Sequence, residues 1–237
     1  MSEVPTKRAK MIKRYLFVFS QTHVVFRAPE VAAICDLLGI PFDRKSLDNQ
    51  STHLHILEFP SDEPIKQILS RSTRIRAVYE ILEEGRDLDE LEARLRAKPE
   101  LFKPFDGPED SWRFRVRPQG KKPGNDLFNE LRERFTSVMT NTSAPVDLKN
   151  PVHEFNLIED FTTESQDLRR AYLCRTVGEG QLLLKSIYNL KERKYIGNST
   201  MDPELAFIQA NLIQARPASL VLDPFCGTVT FLISFTF

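Results

Sequence analysis

The stretch Trp112-Arg113-Phe114-Arg115-Val116-Arg117 alternates apolar and cationic side chains without a break. A period of two belongs to a β-strand, which sends Trp112, Phe114 and Val116 to one face and three guanidiniums to the other. One face packs and the other is cationic. Lys121 and Lys122 follow in the next loop, and no acid interrupts residues 111–122. Five positive charges thus gather in a chain whose 33 basic and 33 acidic residues otherwise cancel. Such a patch suits phosphate contact. The competing reading is a solvated strand face whose arginines pair with acids from a neighbouring strand.

The zero net charge excludes a global field drawing the chain to nucleic acid or membrane, so any such role has to be local. No run approaches the roughly 20 apolar residues of a membrane span. Cys35, Cys174 and Cys226 are too few and too far apart for a disulfide framework or a zinc spacing, and read as reduced intracellular thiols. No metal site is expected, and His23, His53, His55 and His153 have neither metal-like nor triad-like company. A soluble protein, cytoplasmic or nuclear, is the expectation.

At 237 residues there is room for two small domains and a fragment of a third. Residues 1–13 read as a flexible basic leader. Tyr15 to Phe19, His53 to Leu57 and Arg76 to Leu82 have strand character, with helices at Pro29 to Leu38 and Ile65 to Leu69, giving a small α+β unit over 14–86. Leucines 88, 91 and 95 keep helical spacing before the loop marked by Pro99, Pro104 and Pro108. Beyond the basic strand, Leu127, Phe128, Leu131, Phe135 and Val138 fall on one helical face, and His153 to Ile158 and Ala171 to Val177 are further strands. Gln181 to Leu190 suggests a linking helix. Asp202-Pro203-Glu204 opens another, since Asp can cap orphan amides and Pro at the first helical position has no amide to satisfy; Leu205, Ile208 and Leu212 supply its buried stripe.

Ser219-Leu220-Val221-Leu222 is a short apolar run suited to a buried parallel strand, leading into Asp223-Pro224-Phe225-Cys226-Gly227-Thr228. In doubly wound sheets ligands sit at the C-terminal end of such strands, where a glycine lets the backbone come close to the ligand. Asp223 comes too early for a ribose-binding acid, so the turn is not a dinucleotide fingerprint.

That turn resembles the first cofactor motif of the S-adenosylmethionine-dependent amino methyltransferases that modify RNA bases. Together with Arg193 to Asp202 upstream, Arg14 to Phe17, Phe26-Arg27-Ala28-Pro29-Glu30, Leu148 to Phe155 and Glu159-Asp160-Phe161, it is similar to the eukaryotic tRNA (guanine-10-N2)-methyltransferase catalytic-subunit family over about residues 14–230. The resemblance implies α+β ferredoxin-like (14–86) and THUMP RNA-binding (87–178) domains. A linker (179–197) then leads to the first strand and helix of an α/β Rossmann-like methyltransferase domain (198–237). It implies methyl transfer from S-adenosylmethionine to guanosine-10 of tRNA. Asp223, Pro224, Phe225, Gly227 and Thr228 would line the cofactor pocket, and Thr200, Met201 and Asp202 a second wall. Arg113, Arg115, Arg117, Lys121 and Lys122 would face tRNA, and a small zinc-binding activator subunit would cover the methyltransferase domain.

Two departures bear on activity. Val229 stands where the family turn continues with glycine, and a β-branched residue resists φ > 0. Neither the Asp/Asn-Pro-Pro-aromatic catalytic motif nor the later strands occur in the 237 residues, so no catalytic residue is assigned. The chain is expected to be a C-terminally truncated form, with most of the activator's docking surface missing. The alternative is a catalytically inactive tRNA-binding module.

Overall fold

The computed structural model describes residues 12–120, 125–139, 143–162, 164–165, 167–189, 200–224 and 226–227. Residues 1–11 of the expected basic leader and 190–197 of the expected linker lie outside them, and Lys13 already belongs to the first strand. The chain divides into two compact units, residues 1–78 with 177–237, and residues 79–176.

The first unit is built on β1 (Lys13–Phe19), β2 (Leu54–Phe59) and the start of β3 (Ile75–Gly85), in the order β2-β1-β3. β1 and β2 are antiparallel, from Lys13 opposite Phe59 to Val18 opposite Leu54. The run Tyr15 to Phe19 is buried on both faces, as its unbroken apolar character predicts. Helix α1 (Arg27–Leu38) starts two residues before the expected Pro29 and stops at Gly39, whose φ of 67° is the left-handed cap that glycine tolerates. Helix α2 (Asp62–Leu69) is one turn longer than expected at its start, where Asp62 and Glu63 complement the helix dipole. Tyr15, Phe17, Phe19, Val31, Ile34, Ile65, Ile68 and Ile75 form the core.

Two charged residues of the Phe26 to Glu30 stretch are buried in this unit. Arg27 donates to Ser20 O (2.7 and 3.0 Å) and Thr52 O (2.8 Å). Glu30 accepts from Ser72 Oγ, Thr73 N, Thr73 Oγ1 and Arg74 N at 2.7–3.0 Å. Both satisfy backbone and hydroxyl groups that burial would otherwise orphan.

The second unit contains α3 (Leu88–Arg96), β4 (Trp112–Gln119), α4 (Asn125–Met139), β5 (His153–Phe161) and most of β6 (Leu168–Glu179). With the latter part of β3, its strand order is β3-β6-β5-β4. Asp87 caps α3 by accepting from Glu90 N at 2.7 Å. β4 and β5 are parallel, and α4 supplies the crossover that parallel neighbours need. β5 and β6 are antiparallel. Leu131 and Phe135 of α4 are buried with Trp112, Phe114, Phe155 and Leu173, whereas Leu127, expected on the same face, is exposed.

After β6 the expected helix over 181–190 is reduced among the described residues to one turn, α5 (Leu184–Ile187). Helix α6 (Pro203–Leu212) forms as predicted, with Asp202 accepting from Glu204 N at 2.8 Å and Pro203 in the first turn. The expected strand at 219–222 does not form: Leu220 and Leu222 are exposed. A parallel strand is buried only where neighbouring strands bond it and helices cover it. The described residues provide neither here.

Candidate nucleic-acid interface

β4 closes the second unit's sheet, with β5 as its neighbour. Trp112 and Phe114 are buried, and Arg113, Arg115 and Arg117 project from the other face, as the period of two requires. In the parallel register Arg113 lies opposite Glu154, Arg115 opposite Asn156 and Arg117 opposite Ile158. All three guanidiniums converge on Glu154. Arg113 reaches Oε2 through Nε (2.5 Å) and Nη2, Arg115 reaches Oε2 at 3.3 Å, and Arg117 Nη2 reaches Oε1 at 2.9 Å. Thr176 Oγ1 also donates to Glu154 Oε1 (3.1 Å), and Arg117 Nε donates to the buried Asn156 Oδ1 (2.6 Å).

Burial raises the Glu154 carboxyl, but the hydrogen bonds from Arg117 and Arg113 and the charges of Arg117 and Arg115 outweigh it, so the group stays below the usual carboxylate range. One largely covered anion thus orients three cations and leaves the four groups with two net positive charges. The arginines keep 22, 46 and 29% of their side-chain surface exposed, so an incoming anion can reach them. The competing reading, arginines paired with a neighbouring strand's acid, describes the geometry correctly. It does not neutralise it.

Beside this cluster lies an open cavity of about 580 Å³ lined by Arg115, Val116, Arg117, Phe128, Asn129 and Arg132. No acid is in the lining, and among the described residues Arg132 makes no ion pair. Phe128 offers a ring and Asn129 an amide next to three guanidiniums, which suits a phosphate with an unstacked base. Glu154, Phe128, Asn129 and Arg132 are the residues that sequence reasoning missed. The helical period places Phe128 on the core face of α4, and the pairing of Glu154 with the arginines depends on a strand register that period alone does not give. Lys121 and Lys122 lie outside the described residues.

The expected cofactor turn is a different matter. Gly227 has φ of 43°, the left-handed region where a side chain would be strained. Phe225 and Thr228 lie outside the described residues, as does Val229. Asp223 and Pro224 follow the exposed 219–222 segment rather than a strand end. Asp202 is engaged as the cap of α6, and Met201 is exposed. Among the described residues no group of three or more His, Cys, Asp or Glu side chains could hold a metal ion, and no helix is long and apolar enough to cross a membrane.

The family model described as the Tmrp11 THUMP N-terminal domain matches residues 13–182, which takes in both β1 and the arginine strand. The chain belongs to this family. Its curated relatives include the tRNA (guanine(10)-N(2))-methyltransferase TRMT11 of Gallus gallus, 29% identical over 94% of this chain and 49% of the relative. The tRNA (guanine(10)-N(2))-methyltransferase of Saccharomyces cerevisiae is 28% identical over 94% of this chain and 52% of the relative. The chain spans about half the length of the curated relatives it matches. Among solved structures, TrmN from Thermus thermophilus superposes with a TM-score of 0.50 at 16% identity, covering 94% of this chain and 61% of that one. A predicted N6-adenine-specific DNA methylase from Listeria monocytogenes gives 0.52 at 14% identity, covering 94% of this chain and 54% of that one. At these identities the two likenesses speak for the fold, and the α+β reading with THUMP character stands.

Proposed function

We propose that this chain is the tRNA-gripping portion of a tRNA guanine-N2-methyltransferase acting at guanosine-10, and that residues 1–237 alone bind tRNA without performing the transfer. The observation that carries the reading is the acid-free cavity between β4 and α4, where Arg115, Arg117 and Arg132 meet Phe128 and Asn129. Phosphate contacts supply most of the affinity in such an interface, and a splayed base stacking on Phe128 adds to it. The names of the curated relatives support tRNA as the ligand and methylation as the reaction.

S-adenosylmethionine is the methyl donor this reading implies, with Asp223, Pro224, Phe225, Gly227 and Thr228 and the Thr200 to Asp202 segment as its candidate contacts. Because no Asp/Asn-Pro-Pro-aromatic motif occurs in 1–237, no catalytic step is assigned to them. A small zinc-binding activator subunit belongs to the same reading, as does a cytoplasmic location.

Binding of unmodified tRNA at two salt concentrations, beside calorimetric titration with S-adenosylmethionine, tests this. Arg115→Ala and Arg132→Ala should each weaken tRNA binding roughly tenfold, as loss of one charged hydrogen bond does. Each should also flatten the salt dependence by about 0.7–0.9 in the log–log slope. Unchanged affinity and slope in both variants would remove the interface. Saturable cofactor binding by the wild-type chain would overturn the reading of residues 1–237 as a tRNA-binding portion without transfer activity.

A further inference from the structure

The first unit holds a polar joint that the tRNA reading does not use. Arg74, at the start of β3's approach, is 1% exposed in its side chain. Its Nη1 donates to Thr22 O (3.1 Å) and Thr22 Oγ1 (3.2 Å), and its Nη2 to Glu204 Oε1. Glu204, in the first turn of α6, also accepts from Thr22 Oγ1 (2.9 Å) and from Lys185 Nζ (2.9 Å). One helical face further along, Asn211 donates to Glu30 Oε1 (2.9 Å) and Arg71 O (3.0 Å). Arg71 answers with Nε to Asn211 Oδ1 (3.3 Å) and Nη2 to Ala215 O (3.2 Å). Between these polar ends Ala206, Phe207, Ile208 and Ala210 are buried.

We propose that α6 is a docking helix built into the N-terminal unit, with Arg74 and Glu30 as its receptor groups, rather than the detached first helix of a following domain. The proposal goes beyond the tRNA reading and does not rest on it. Apolar burial alone would leave the helix free to slide or rotate, because it is non-directional. Seven residues separate Glu204 from Asn211, two helical turns, so both point to one side and meet a cation and a carboxylate with fixed positions in the unit. A one-residue slip of α6 would break both ends together. The arrangement is costly for its stability: Arg74 Nε is buried with no hydrogen-bond partner among the described residues. Buried ionic groups of this kind are best attested as devices that set register. Here the register sets where the chain emerges from α6 toward Asp223.

Hydrogen–deuterium exchange on the whole chain tests the joint, comparing wild type with Glu204→Ala and Asn211→Ala. If α6 completes the unit, each variant loses protection about tenfold both in 203–212 and in the receptor segments 20–24 and 71–75, with β4 and β5 unchanged. Loss confined to 203–212 would show an appendage and overturn the proposal. Should Glu204→Ala fail to fold, Glu204→Gln keeps an acceptor for Thr22 Oγ1 and carries the same comparison, with the same two outcomes.

Discussion

Replacing Glu154 with Gln removes the one charge that three arginines share while keeping the side chain's shape. Losing one partner of a fully buried ion pair costs about 3–5 kcal/mol, and an exposed pair contributes about 0–1 kcal/mol. Glu154 is 11% exposed, but its partners are 22, 46 and 29% exposed, so solvent already relieves part of their mutual repulsion. The amide oxygen of Gln still accepts one guanidinium. The loss therefore falls between the two limits, at about 2 kcal/mol near neutral pH. Its pH dependence follows from the carboxyl lying below its ordinary value of 4.5 in the folded chain. A depressed acid stabilises the fold above the unfolded value and loses that contribution as pH falls through the folded one. The gap between wild type and Glu154→Gln should be full at pH 7 and close as pH drops below about 4.5. Trp112 is the chain's single tryptophan and begins the arginine strand, so urea denaturation followed by its fluorescence reads this unit. A gap that stays constant from pH 7 to about pH 3, or no gap at pH 7, would refute Glu154 as the ionised hub of the cluster.

Burial pushes the Cys35 thiol up to about 12, and that of Cys174 well above its usual range, whereas Cys226 is exposed. Native-state alkylation at about pH 8 should therefore label one thiol quickly, with peptide mapping placing it at Cys226. Gly180→Ala should cost about 3 kcal/mol or more in urea, because the added Cβ would meet Ile75 O at 2.0 Å and Ser72 O at 2.9 Å, both backbone atoms with little room to move.

Local signals carried most of the fold. The unbroken apolar run at Tyr15 to Phe19, the cap and proline at Asp202-Pro203, and the alternation at Trp112 to Arg117 each became the element their pattern predicts. The exceptions all depend on partners. Ser219 to Leu222 has a strand's composition and no strand, because ladder bonds come from neighbours and not from the segment. Half of the interface was legible for the same reason: the arginines show in the period, while Glu154 and Arg132 enter through register and helix placement. Arg27 and Glu30, in a stretch that resembles the family, are buried and spend their charges on the first unit's own backbone and hydroxyls.

Glu204 and Glu154 both gather cations, and the difference between them separates a joint from a ligand site. Glu204 faces Arg74 and Lys185, is held down to about 2 although burial pushes it up, and meets in Arg74 a cation with almost no exposed surface. An outside anion cannot reach that guanidinium, so its charge is spent within the fold. Glu154 faces three arginines that all keep solvent contact, and two of them line an open cavity with Arg132. There the single acid works as a scaffold: it fixes guanidinium directions before any ligand arrives, which lowers the ordering cost of binding. The surplus charge remains available to phosphate. A fourth cation without a balancing acid is what a purely structural cluster would not need, and Arg132, on a different element from the other three, is that cation.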